Sequence, residues 1–181
     1  MNVLDTQRLR LREFSFDDDI FILELLNEPG FLRFIGDKGV RTVSDARDYL
    51  EKGPMESYRR NGFGLYAVCA RGMETMAPVG MCGLVKREGL HDPDIGFAFL
   101  ARHWGKGYAV EAAGAILEHG TRVLQLPRIV AITSPDNMGS IRVLEKIGLK
   151  FSRLITLGAH KDEVKLFIAA AGGLAADGVT W

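Results

Sequence analysis

Two glycines, Gly105 and Gly107, follow a short apolar strand pattern and precede a long helical pattern. Glycine lets the main chain turn sharply and lets a ligand approach the backbone closely. The first N–H groups of a helix have no internal partners and carry partial positive charge, so they bind phosphate well. The spacing therefore predicts an anion site, with Lys106 as a nearby charge that either contacts a phosphate or stays solvated.

Other uses of such a turn are less well matched. A dinucleotide-binding turn requires G-x-G-x-x-G, but residue 110 is Val where the third glycine should stand. A nucleotide-triphosphate loop requires Gly-Lys followed by Ser or Thr, but Gly107 follows Lys106. From the two glycines alone, a tight strand-to-helix turn without a ligand remains an open alternative.

A longer pattern surrounds the two glycines. Arg102, Gly105 and Gly107 fill the pattern Arg-x-x-Gly-x-Gly, which resembles the acyl-CoA signature of the GNAT superfamily of acyl-CoA N-acyltransferases. The fuller run over residues 104–112 resembles the ribosomal-protein N-terminal (alanine/serine) acetyltransferase branch of that superfamily. A second run, over residues 137–149, resembles a later GNAT segment that contacts the pantetheine arm of the cofactor.

The resemblance implies that acetyl-CoA is the co-substrate, and no metal is expected. In this family the central strand, here residues 94–100, splays at a bulge, and its free edge pairs with the amides of pantetheine. The expected contacts with the cofactor, taken from the two matching segments, are Phe97, Ala98, Phe99, Leu100, Arg102, Trp104, Gly105, Lys106, Gly107, Tyr108, Ala109, Asn137 and Ser140.

Attack on a thioester requires a neutral amine, and an alkyl ammonium is mostly protonated near pH 7, so a base is needed. Asp94 stands where many GNAT proteins have an acid that acts through water, although it could simply close the turn at residues 92–94. Glu111 is the second candidate, although a glutamate in the first turn also stabilises the helix dipole.

The thiolate that leaves after transfer requires a proton or a hydrogen bond. Many GNAT enzymes use a late tyrosine here, but residues 166–168 read Leu-Phe-Ile. We therefore assign this role to Ser140, whose alternative is an ordinary serine in the first turn of a helix.

The length of the chain predicts one domain over residues 1–181, and residues 170–181, which are rich in small side chains, are expected to form a flexible tail. Strands are expected at residues 9–14, 64–70, 78–86, 94–100, 128–133, 151–157 and 162–169. Helices are expected from residue 16 or 17 to Pro29, at 31–34, at 44–60 with a bend or break at Pro54, at 107–125, and from a cap at Asn137 to Gly148. The fold class is therefore α/β (α+β): a GNAT-like mixed, mostly antiparallel sheet of about seven strands with helices on both faces.

The composition excludes several classes of protein. Lys plus Arg equals Asp plus Glu at 23 each in 181 residues, so no overall basic footprint for nucleic acid is present. The start lacks a signal-peptide pattern, and the longest uncharged apolar run is far shorter than the ~20 residues of a membrane span. Cys69 and Cys82 are interpreted as apolar strand residues, and the histidines lack metal-ligand spacing. We expect a soluble cytoplasmic protein, monomeric or homodimeric.

These patterns together predict an acetyl-CoA-dependent N-acetyltransferase that transfers an acetyl group directly, within a ternary complex, to a primary amine. The first expectation for the acceptor is the N-terminal α-amine of a protein or peptide. A small-molecule amine is the alternative acceptor, and a catalytically silent module that binds acyl-CoA as a sensor is the alternative class.

Overall fold

The computed structural model describes residues 2–72, 76–157 and 163–169. Within them the chain forms eight strands: β1 (Asn2–Asp5), β2 (Leu9–Arg12), β3 (Leu65–Ala70), β4 (Pro78–Val85), β5 (Asp94–Phe99), β6 (Val130–Thr133), β7 (Leu149–Thr156) and β8 (Glu163–Ala169). The α-helices of the same residues are α1 (Asp19–Leu26), α2 (Pro29–Phe34), α3 (Val43–Leu50), α4 (Glu56–Asn61), α5 (Tyr108–Arg122) and α6 (Met138–Lys146).

The strands form a single mixed sheet in the order β1-β2-β3-β4-β5-β6-β8-β7. Only β5 and β6 pair in parallel among the described strands, since α5 carries the chain from one to the other. The predicted α/β fold with a mostly antiparallel sheet is confirmed, with one strand more than expected. The additional strand is β1, whose sequence Asn-Val-Leu-Asp has two adjacent apolar residues and therefore no period-two pattern.

Both faces of the sheet are buried. On one face α5 and α6 pack against strand residues through a cluster that includes Leu11, Leu84, Ile116 and Leu144. On the other face α1 and α3 pack through a second cluster, which includes Ile22, Leu26, Leu50, Met81 and Leu100. Cys69 and Cys82 are buried, unpaired strand residues, as their apolar contexts predicted. None of the helices in the described parts of the chain combines the length and the apolar character of a membrane span.

Pro54 interrupts the helical stretch between residues 43 and 61. The turn Glu51–Met55 has π-helical geometry and contains the buried Pro54, which lacks the N–H that a regular helix would use. The predicted bend therefore takes the form of a wide turn between α3 and α4. The same turn brings Tyr49 and Pro54 to the surface of the cleft described below.

The two helices nearest the predicted site begin where the sequence predicted, although α5 ends at Arg122 rather than at residue 125. Gly107 precedes α5 with a φ of 79°, in the left-handed region that glycine tolerates. Asn137 caps α6, since its Oδ1 accepts a hydrogen bond from the N–H of Ser140 at 3.0 Å. The predicted tail at residues 170–181 and part of the loop at 71–77 lie outside the described residues.

Gly83 provides a test of the contact between β3 and β4. A Cβ added at Gly83 would lie 2.0 Å from the carbonyl oxygen of Gly64, which is backbone and cannot rotate away. Gly83→Ala should therefore lower the free energy of unfolding by at least about 2 kcal/mol. The control is Gly114→Ala in α5, where the nearest atom is Cγ2 of Ile147 at 3.8 Å and a helical alanine should be neutral or stabilising by about 0.5–1 kcal/mol. Equal melting temperatures for the two variants would contradict this packing.

Candidate active site

The strands β5 and β6 separate almost as soon as they meet. Their pairing is confined to Asp94 with Val130. On its other side β5 pairs with β4 in regular register from Asp94 to Phe99. The edge of β5 that faces β6 is therefore open beyond Asp94. The expected bulge is not found in the β4–β5 pairing, because divergence of β5 from β6 produces the opening instead.

A cleft of about 1230 Å³ lies along this opening. Eleven of the predicted site residues line it: Asp94, Phe97, Ala98, Phe99, Trp104, Gly105, Gly107, Tyr108, Ala109, Asn137 and Ser140. Four others do not border the cleft: Leu100, Arg102, Lys106 and Glu111. The structure thus brings most of the predicted residues together around one open strand edge.

The turn before α5 has the properties that an anion site requires. Gly105 and Gly107 have φ angles of 74° and 79°, and a Cβ at Gly105 would meet no atom within 4 Å. No side chain caps α5, so the first N–H groups of this helix are not taken by a side-chain cap. Gly107, Tyr108 and Ala109, at the start of this helix, line the cleft. A pyrophosphate fits this turn, and main-chain N–H groups would hold it.

The indole of Trp104 lies at the end of β5. Its Nε1 donates a hydrogen bond to the carbonyl oxygen of Phe99 at 2.7 Å, so one main-chain acceptor of the open edge is already engaged. The ring covers Gly30, where an added Cβ would lie 2.9 Å from Cη2 of Trp104. Trp104 therefore forms part of the wall of the cleft at the position where the strand turns into the glycine loop.

Three predicted cofactor contacts instead have structural partners outside the cleft. Leu100 is fully buried and its N–H donates to the carbonyl of Val79. Arg102 forms an ion pair with Glu24. The carbonyl oxygen of Lys106 accepts a hydrogen bond from Nη1 of Arg8 at 2.9 Å, and its ammonium does not border the cleft.

Asp94 is the buried carboxylate of the cleft, with only 1% of its surface exposed. Arg87 donates to both of its oxygens, at 3.1 Å and 3.2 Å. Burial raises the pKa of Asp94, although the hydrogen bond and the charge of Arg87 oppose the change. The turn before β5 is held by a separate contact, because the carboxylate of Asp92 accepts a hydrogen bond from Nε of Arg128 at 2.6 Å.

Glu111 is engaged in a network with the start of the chain. Its Oε1 accepts from the hydroxyl of Thr6 at 2.6 Å and from the main-chain N–H of Arg8 at 2.8 Å. Its Oε2 accepts from Nε of Arg8 at 2.7 Å. Burial acts to raise the pKa of Glu111, but the hydrogen bonds from Thr6 and Arg8 outweigh it and lower the pKa. This geometry supports a role in holding the glycine turn rather than in proton transfer.

Ser140 lies in the first turn of α6 and borders the cleft. The N–H of Ser140 donates to the side chain of Asn137, while the hydroxyl of Ser140 forms no hydrogen bond with the residues that the structure describes. The hydroxyl is therefore available to a ligand. Asn137 also lines the cleft, and its side chain fixes the first turn of α6.

Sequence reasoning missed several polar residues of the cleft, among them Lys38, Tyr49 and Arg87. Burial raises the pKa of Tyr49 to about 12, so its hydroxyl stays protonated at neutral pH. Tyr49 lies within a helical pattern, and Lys38 and Arg87 stand in polar stretches without a motif. Their positions depend on how the segment between α2 and β3 covers the sheet, which no local pattern reveals.

Glu111→Gln tests the network around the glycine turn. The pKa of Glu111 is lowered on folding, so its contribution to stability is present above the unfolded value of about 4.3 and is lost as the pH falls through the folded value. At pH 7 the variant should lose about 1–2 kcal/mol, or roughly 2–8 °C in melting temperature.

The matched control is Glu118→Gln on the same helix, where the pair with Arg122 is solvent-exposed and should contribute little. A loss of stability in Glu111→Gln that persisted unchanged below pH 3, or an equal loss of stability in Glu118→Gln, would contradict the network.

Comparison with known proteins agrees with this geometry. Residues 8–150 match the family described as acetyltransferase (GNAT) domain. The uncharacterized N-acetyltransferase YnaD of Bacillus subtilis (strain 168) is 33% identical over 147 residues, which span 81% of this chain and 82% of YnaD.

Solved structures show the same fold. A GNAT-family acetyltransferase from Bacillus anthracis has a TM-score of 0.73 at 29% identity, over 91% of this chain and 95% of that protein. RimL, a ribosomal L7/L12 alpha-N-protein acetyltransferase in complex with coenzyme A, has a TM-score of 0.79 over 93% of this chain and 97% of its own, but at 14% identity this likeness concerns the fold alone. The cleft, the glycine turn and the family match lead to one conclusion: this chain belongs to the GNAT family of acetyltransferases and is an acyltransferase.

Proposed function

We propose that this protein transfers an acetyl group from acetyl-CoA to a primary amine, and that the amine is the N-terminal α-amine of a protein or peptide. The observation that carries the proposal is the arrangement along β5. An uncapped glycine turn lies at one end of the open strand edge, and a buried carboxylate lies at the other. A single extended ligand can therefore reach an anion site and a proton acceptor at once.

The cofactor half of the cleft rests on main-chain groups. The N–H groups after Gly107 would bind the pyrophosphate. The open edge of β5 from Phe97 to Phe99, apart from the carbonyl of Phe99 that Trp104 engages, would pair with the amides of pantetheine. Coenzyme A bound to RimL, which shares the fold, supports this proposal.

The acceptor half needs a group that takes a proton from the ammonium. Asp94 borders the cleft and is held by Arg87, which fixes the direction of its oxygens. Burial raises the pKa of Asp94 against the opposing effect of Arg87, so the affinity of this carboxylate for a proton is increased, and it can accept one directly or through water. Glu111 is the weaker candidate because three donors already occupy its oxygens.

The choice of a peptide as the acceptor is the most specific part of the proposal. RimL acts on a protein α-amine by its description, and it shares the fold without close sequence similarity. The cleft is wide enough, at about 1230 Å³, for an extended peptide end beside a cofactor arm. A small amine remains the second candidate acceptor, and a cytoplasmic location is proposed with either.

Release of free CoA, measured with a panel of peptide and small amines, tests the reaction, and binding of acetyl-CoA without any release would instead favour the sensor.

Asp94→Asn should lower kcat/KM by about a hundredfold or more, because base catalysis contributes ~10² to 10⁴. Folding should survive, since a raised pKa means that the ionised carboxylate is less favourable in the folded chain than in the unfolded one, and asparagine is neutral. The control is Asp92→Asn, two residues away, whose partner is Arg128 and which does not border the cleft. Full activity of Asp94→Asn, with loss in Glu111→Gln, would transfer the role to Glu111.

Ser140→Ala tests the leaving group. A serine hydroxyl is too weak an acid for full proton donation, so its contribution should be one hydrogen bond to the departing sulfur. Loss of that bond should cost about 1–3 kcal/mol, or roughly 5- to 150-fold in kcat. The charge on sulfur develops only as the thioester breaks, so the KM for acetyl-CoA should change little. A raised KM with unchanged kcat would make Ser140 a cofactor contact.

A further inference from the structure

The cleft has an excess of positive charge. The whole chain is neutral, but the lining contains more cations than carboxylates. Several of the carboxylates form ion pairs, since Asp94 pairs with Arg87, Glu56 with Arg59 and Asp136 with Arg33. Five of the cations lie between residues 38 and 87: Lys38, Lys52, Arg60, Lys86 and Arg87.

Lys38 is the cation of this group that the protein leaves without a partner. It forms no ion pair or hydrogen bond with any of the residues described, whereas Lys52 pairs with Asp48. Desolvation in the cleft, together with the nearby charge of Arg87, lowers the pKa of Lys38. A bound anion would relieve the repulsion between these two cations.

Tyr49 adds a neutral donor to the same corner. It lines the cleft beside Lys38 and Arg87, and its hydroxyl forms no hydrogen bond within the described chain. Because the hydroxyl stays protonated, it can donate to an oxygen anion. An ammonium, a guanidinium and a phenol together form a set of donors for a carboxylate.

The phosphates of the cofactor are not the anion that this corner would bind. The glycine turn follows the far end of β5, whereas Arg87 bonds to Asp94 at its first residue. A strand of this length separates the two ends by roughly 20 Å. An anion bound at Lys38 would therefore belong to the acceptor.

We propose that the acceptor carries a carboxylate close to its amine, and that Lys38, Tyr49 and Arg87 bind this carboxylate. For a peptide the carboxylate is an acidic side chain next to the N-terminal residue; for a free amino acid it is the α-carboxylate. The cationic corner also disfavours the protonated form of the neighbouring amine, so it assists the loss of a proton to Asp94. This inference rests on the proposed function and specifies its substrate class.

The test compares peptide amides that differ in the second residue: Ser-Asp-Ala, Ser-Asn-Ala and Ser-Lys-Ala, with free serine as the fourth acceptor. CoA release and calorimetric binding of each acceptor in the presence of CoA are measured for the wild type. We expect the acidic peptide or free serine to exceed the Asn peptide by about tenfold or more in kcat/KM and in affinity, and the Lys peptide to be the poorest. A preference for the peptide over free serine identifies the side chain as the source of the carboxylate.

Lys38→Gln should remove that preference, raising the KM for the anionic acceptor by about tenfold while the KM for acetyl-CoA stays unchanged. Lys150→Gln, which removes an equal charge outside the cleft on β7, is the control. Equal use of Asp and Lys peptides by the wild type would overturn the inference and leave the acetyltransferase reaction intact. An acid preference in binding that depends on Lys38, without CoA release from any amine, would support the carboxylate site and overturn the proposed reaction.

Discussion

The structure depends on one departure from regular pairing, the separation of β5 from β6. A parallel pair normally satisfies the main-chain groups of both strands along its length. Here the pairing is confined to Asp94 and Val130, so the remaining edge of β5 lacks the partner that a sheet would provide. Unpaired main-chain groups in a partly buried position are unfavourable unless water or a ligand satisfies them. The opening is thus stable as a binding surface, and the regular β4–β5 register holds it in place.

The glycine turn before α5 is held in place by contacts from another part of the chain. Gly105 and Gly107 allow the turn but do not fix it, because glycine restricts the backbone less than any other residue. The fixing contacts come from the beginning of the chain. Arg8 bonds both to Glu111 and to the carbonyl of Lys106, and its guanidinium lies 5.2 Å from the ring of Tyr108. The first β-hairpin therefore supports the anion site from behind, while the cleft side stays free.

Much of this arrangement is predictable from the sequence, and the exceptions have a common cause. The helix α5, the cap at Asn137 and the break at Pro54 follow from local patterns, and the structure confirms each of them. The partners of Glu111 are not predictable in this way, because Thr6 and Arg8 are more than a hundred residues distant and reach it only once the sheet has formed. The roles of Lys38 and Tyr49 likewise depend on how the segment before β3 covers the cleft. Local sequence patterns thus predict individual helices and strands, whereas contacts between residues that are distant in sequence become known only from the folded structure.

Asp94 and Glu111 show why residue type alone could not separate the two candidate bases. Both are carboxylates bound to an arginine near the same strand and helix. Burial dominates at Asp94 and raises its pKa, because one arginine is its sole charged partner among the described residues. At Glu111 burial is outweighed by three donors, and the pKa falls. A base must have an accessible lone pair and an affinity for protons, and of the two only Asp94 borders the cleft. The environment that the fold supplies thus shifts the pKa values of two chemically similar residues in opposite directions, and the carboxylate whose pKa is raised is the one that borders the cleft.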